Sequence, residues 1–171
     1  MSFDPVARRL AQNAVTFALE ALARAGLGGG GTSALTNTPS IRTVTNGEAF
    51  AELILGAPVY ASAADTVMRA QANSFAAATL VGLCYDNAIA AGALGNIASS
   101  GVLVGIAAQW DAVVTGASGG LAFGAMYFLD PANPGMLTST PPTAAGQMIT
   151  RVGTALSATE LELSLGVPIA L

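Results

Sequence analysis

Over residues 109–162 the chain alternates short apolar or aromatic runs with clusters of turn-forming residues, and this punctuation leaves room for little except short strands. Gln109-Trp110-Asp111 leads into the turn-prone Thr115-Gly116-Ala117-Ser118-Gly119-Gly120, followed by Gly124-Ala125-Met126-Tyr127-Phe128-Leu129. Asp130-Pro131-Ala132-Asn133-Pro134-Gly135 separates that run from Met136-Leu137-Thr138, and Arg151-Val152-Gly153-Thr154-Ala155-Leu156-Ser157 closes the unit. Proline presets φ, and Gly or Asn supplies positive φ, so an aromatic strand, a turn and a Thr-bearing strand read as a hairpin. Nothing in this unit is arranged to move a proton or hold a metal.

Composition agrees. The chain has no His, no Lys, one Cys and 9% charged residues, so the usual inventory for acid/base work, Schiff bases and metal ligation is nearly empty. An enzyme is not expected, and no catalytic residue, metal ligand or cofactor is assigned. Only carboxylates remain as a route to catalysis, and a carbohydrate-active enzyme would need them paired across a cleft. A formal charge of −4 argues against nucleic acid, which demands a clustered basic footprint. Arg8, Arg9 and Arg24 share their segment with Asp4 and Glu20, as on a solvated helix face. With 171 residues and 53% hydrophobic content, the chain can bury one good core or two small ones. Much of that content is Ala, so packing on copies of itself or on another protein surface is expected to add stability.

The N-terminal stretch is of another kind. Asp4 suits an N-cap and Pro5 the first helical position, while Gly26 suits a left-handed stop with Leu27 folding back on Leu22. Between them Val6, Leu10, Ala14, Phe17 and Ala21 recur at helical spacing, and Val15, Ala18, Leu19 and Leu22 form a neighbouring stripe. So wide an apolar surface calls for burial on more than one side: against the β body, a sister helix or a groove on another protein. Gly28-Gly29-Gly30-Gly31-Thr32-Ser33 then reads as a flexible linker. The expected organisation is a helical arm at 1–27, a linker at 28–40, a first β half at 41–107 and a second β half with an apolar tail at 108–171. The arm is expected to anchor or oligomerise the protein, with a helix capping its own β core as the alternative. Val6, Leu10, Phe17, Leu19 and Leu22 are its candidate protein-interaction residues.

In the first half, Ile41-Arg42-Thr43-Val44-Thr45 alternates like a strand and meets Asn46-Gly47, a tight-turn dipeptide. Residues 48–55 fit neither period. Pro58 enters the run Gly56-Ala57-Pro58-Val59-Tyr60 and suits an edge strand. Residues 66–70, 78–83, 96–98 and 101–104 are further strand candidates. An internal echo links the halves: residues 56–60 match 124–128, and Leu80-Val81-Gly82-Leu83 matches Arg151-Val152-Gly153-Thr154. Two copies of one hairpin-plus-strand unit, each too small to bury its own face, would pack together.

Residues 88–108 carry no charge and are long enough to span a bilayer if helical, but their Gly, Asn and Ser punctuation reads as strands and turns. No signal peptide is read after Met1, and the lone Cys84 fits cytoplasmic synthesis and a buried position. Trp110 beside Asp111 is a candidate core or interface anchor, with ligand stacking as the alternative. Asp86, Asp111 and Asp130 read as turn formers before calcium ligands. Glu160 and Glu162, alternating with Leu161 and Leu163, read as the polar face of a strand. The apolar tail at 164–171 is expected to dock, in its own sheet or on a neighbour.

The order Ala108-Gln109-Trp110-Asp111-Ala112-Val113, the Gly-rich step, Gly124-Ala125-Met126-Tyr127-Phe128-Leu129, Pro134-Gly135-Met136-Leu137-Thr138 and Arg151-Val152-Gly153-Thr154-Ala155-Leu156-Ser157 resembles the small β domains of tailed-bacteriophage head-decoration (capsid cement) proteins and related head or tail fibres. The resemblance covers residues 108–162 well and 46–104 more loosely. It implies a mainly β fold, a small barrel or clipped sheet, in a virion structural protein on the outer surface of the head. It also implies a homo-oligomer, a trimer, bound to the major capsid protein, with a fibre component as the alternative.

Overall fold

The computed structural model describes residues 38–171. The expected N-terminal helix and the interaction candidates Val6, Leu10, Phe17, Leu19 and Leu22 lie outside the described residues.

The described body is mainly β. In chain order it comprises β1 (Ser40–Asn46), β2 (Leu53–Ile54), β3 (Pro58–Ala63), β4 (Thr66–Arg69), α1 (Phe75–Ala78), β5 (Leu80–Cys84), β6 (Ala88–Ile89) and β7 (Leu94–Val104). There follow α2 (Ala107–Val113), β8 (Met126–Leu129), β9 (Leu137–Thr138), β10 (Met148–Ile149), β11 (Arg151–Ala155), β12 (Glu160–Leu163) and β13 (Ile169–Ala170).

Strands β1, β4, β3, β5 and β7 close into a five-stranded barrel, because β1 pairs with β4 on one side and β7 on the other. Closure leaves these strands no free edge. Their inward alternation supplies Val44, Val59, Val67, Leu83 and Ile97 to a core that continues into the second half through Leu103, Leu161, Val152, Tyr127 and Trp110. The continuation follows from the length of β7. Its first part pairs with β1 and β5, and its last four residues pair with β12, Gly101 opposite Leu163 and Val104 opposite Glu160. From there the sheet runs β12, β11, β8, β9.

The internal echo has a structural counterpart. In the first half the β3–β4 hairpin is flanked by β5, which pairs in turn with β7; in the second the β8–β9 hairpin is flanked by β11, which pairs with β12. The matched glycines hold matched places, Gly82 opposite Val59 and Gly153 opposite Tyr127. Both are demanded by close approach of the next strand: a Cβ on Gly82 would lie 2.7 Å from the Ala98 carbonyl oxygen, and one on Gly153 would lie 2.2 Å from that of Glu162.

Four local expectations change. Pro58 opens an interior strand between β4 and β5, tolerated because it is the first residue, where the missing N–H breaks no ladder. Residues 96–98 and 101–104 belong to one strand, β7, whose irregular register at Ser40/Ile41 takes up Ser99. Asn46-Gly47 is not a hairpin turn: β1 does not pair with β2, and Asn46 is buried. Gln109-Trp110-Asp111 is helical, in α2. Ala107, Ala108 and Gln109 are good helix formers, and the Gln109 Oε1 accepts the Ile106 N–H at 2.9 Å, satisfying one of the free donors at the helix start.

Gly153→Ala is expected to destabilise the body by about 1–3 kcal/mol, the usual cost of forcing volume into a packed interior. A lowered urea midpoint with unchanged slope is the measurement.

Candidate interaction surface

Trp110 is fully enclosed, and its indole N–H donates to the Thr159 carbonyl at 3.1 Å. It presents no surface to a partner, so the expectation of Trp110 as an interaction residue is corrected: of the two anchor roles it takes the core. Its place on α2 wedges it between Gly56 of the first half and Thr159 of the second.

The exposed apolar side chains lie elsewhere, and one group shares an end of the second sheet. Val104 at the end of β7 stands opposite Glu160, whose carbonyl accepts the Leu156 N–H at 2.9 Å. The Gly124 N–H donates to the Ala155 carbonyl at 2.9 Å, which brings Phe123 beside Leu156. Met126 faces Thr154 across β8 and β11, and Ile106 precedes α2 just beyond Val104. Alternation decides the outward direction: Leu103, Leu161 and Tyr127 turn in, leaving Val104, Glu162 and Met126 outside. Phe123 is 83% exposed, Ile106 63% and Val104 59%. Sequence pattern alone missed these residues; Val104 and Met126 sit in apolar runs that only the closed sheet divides into inner and outer faces.

Asp86, Asp111 and Asp130 are tied into structure. Asp86 accepts from the Asn96 N–H at 2.8 Å, and Asp111 accepts from the Gly119 and Gly120 N–H groups at 3.0 and 2.8 Å. Asp130 accepts from the N–H groups of Ala132 and Asn133 and from the Thr115 hydroxyl. All three are therefore turn and loop clamps, as their sequence context indicates. Glu160 and Glu162 lie two residues apart on β12, flanking buried Leu161. Burial by itself raises the Asp130 pKa, but the Thr115 hydroxyl and the donors of Asn133 and Ala132 outweigh it and leave it below 3.8. Burial, with the Asp86 charge added, pushes the Cys84 thiol up to about 12, and its Sγ donates to the Asp86 carbonyl at 3.3 Å.

A cavity of about 180 Å³ opens at the barrel between Val44, Val67, Val81 and Ile97. Its only titratable lining groups, Arg42 and Asp65, are paired with each other at 2.5 Å. The rest of the wall is mostly apolar, with Thr66 and Ser99 adding hydroxyls.

The apolar tail docks by its backbone in its own chain. β13 pairs with β10, and the Leu171 N–H donates to the Gln147 carbonyl at 3.1 Å, while the side chains of Val167 and Ile169 stay exposed. No helix among the described residues is long and apolar enough to cross a membrane; residues 88–108 form β6, β7 and the start of α2.

Compared with known proteins, the chain matches no family model and no curated protein.

Two outcomes are expected. Asp130 has a depressed folded pKa, so its contribution to stability is present above the ordinary carboxylate range and is lost as pH falls through the folded value. Urea midpoints are expected to fall below about pH 4 in the wild type, and the gap to Asp130→Asn to narrow there. At neutral pH Cys84 is a buried thiol, so alkylation by iodoacetamide is expected only after denaturant exposes it.

Proposed function

We propose that this protein is a bacteriophage virion structural protein that decorates and stabilises the capsid exterior, binding the major capsid protein lattice as a trimer without catalysis. The observation that carries this reading is the apolar end of the second sheet, where Val104, Ile106, Phe123, Met126 and Leu156 stand exposed together. Exposed apolar surface rimmed by polar groups is characteristic of protein contact sites. Glu160 and Glu162 stand on β12 among these side chains and supply the polar groups. The sequence resemblance of residues 108–162 supplies the class of partner, and the acidic balance of the chain suits the outside of a head better than its DNA side. Copies bound across subunit seams would make any local opening of the lattice break additional contacts.

A fibre component carrying an adhesive β module is the second reading. The exposed rings of Phe50, Phe75 and Phe123 favour it.

The test combines particle binding with imaging. Wild-type protein is expected to co-sediment with viral heads and give density at regular lattice positions, whereas density at one tail-proximal location would favour the fibre. Val104→Asp with Phe123→Asp is expected to abolish co-sedimentation while shifting stability by only about 0.5 kcal/mol, as surface changes do. A monomer with no affinity for any shell would overturn the reading.

A further inference from the structure

Asn46-Gly47 is the only Asn-Gly pair in the chain. In flexible peptides this dipeptide is the most prone to spontaneous deamidation, because glycine leaves its own amide nitrogen free to reach the preceding side chain. Here every group that reaction needs is held. Asn46 is fully buried; its Nδ2 donates to the carbonyls of Ala51 and Ile89, each at 2.9 Å, and its Oδ1 accepts the Glu48 N–H at 3.0 Å. The Gly47 N–H, the would-be nucleophile, donates to the Val67 carbonyl at 2.8 Å. Asn46 ends a strand paired with Val67, so its backbone is extended and the Gly47 nitrogen is fixed on the neighbouring strand.

We propose that Asn46 is a modification site opened by unfolding: intact while the barrel is closed, and converted to aspartate or isoaspartate once β1 separates from β4. In the open chain the Gly47 nitrogen, giving its proton to solvent base, bonds to the Asn46 Cγ and expels ammonia. Water then opens the resulting succinimide at either carbonyl. The net change is amide plus water to carboxylate plus ammonium.

Either product defeats refolding. A carboxylate only accepts, so the two hydrogen bonds to Ala51 and Ile89 cannot re-form, and a charge would face two buried carbonyl oxygens. Isoaspartate also inserts an extra backbone carbon where Asn46 pairs with Val67. Neither residue of the pair is free to be replaced on its own in this fold. Asn46 supplies two donors and an acceptor together, and a Cβ on Gly47 would lie 2.6 Å from the Thr66 Cγ2.

The test incubates the full chain at mildly alkaline pH in native buffer and in urea, then maps peptides by mass spectrometry and measures the fraction that refolds on dilution. Asn46 is expected to convert many-fold faster in urea, and the fraction failing to refold is expected to track its conversion. The exposed Asn73-Ser74 pair serves as the clock, changing far less between the arms. Gly47→Ala with Thr66→Ser relieves the close contact and blocks the nitrogen, so conversion in urea is expected to slow several-fold and refolding yield to rise. Equal conversion of Asn46 in both arms, or converted chains that refold with an unchanged midpoint, would overturn the proposal.

Discussion

The fold depends on one strand that serves two neighbours in succession. β7 gives its first part to β1 and β5, which closes the barrel, and its last four residues to β12, which founds the second sheet. Without that strand the first half would have free edges, and the second would lose its link to the common core. The buried cluster reflects this, running from Val44 and Ile97 through Leu103 to Leu161 and Tyr127 without interruption. Among the described residues, the larger of two buried clusters therefore serves both halves, which repeat the same pairing scheme and are each too small to bury a face alone, and a smaller one gathers Ala70, Ala72, Ala78 and Leu129.

Polar groups complete the interior. Asn46, Asp130 and Thr150 are buried, and every buried side-chain polar atom among the described residues has a partner. Asn46 ties β1 to Ala51 just before β2 and to Ile89 within β6, and Asp130 closes the segment after β8. Such groups add modest net stability when satisfied and cost far more when a partner is removed. They fix which loop goes where, a task that an Ala-rich core with few large side chains performs weakly.

Much of the strand content was legible: residues 41–45 and 160–163 read as strands from their alternation and form them, while the candidates at 66–70 and 78–83 form strands over 66–69 and 80–84, with Ala78 instead closing α1. The Gly82 and Gly153 echo also carried real information, because close strand approach imposes the same requirement in both halves. Elements that depend on distant partners were not legible. Ser99-Ser100-Gly101 looks like a break in sequence, yet cross-strand bonds carry β7 straight through it. Asn46-Gly47 has the local chemistry of a tight turn, but tertiary hydrogen bonds to Ala51 and Ile89 override it. The seven residues of α2 were too few to show a helical period, and they stand at the head of a segment that otherwise reads as strands and turns. For the surface, alternation identifies two faces but not which one is covered, so Val104 and Met126 became visible only once the sheet was built.

The enclosed indole of Trp110 has an optical consequence. It is the only tryptophan in the chain, and it sits where Gly56 and Thr159 bring the two halves together. Its emission is therefore a single-site reporter of that junction. Excitation selective for tryptophan will yield a blue-shifted spectrum while the halves are mated and a red-shifted one when solvent enters between them, with no label attached.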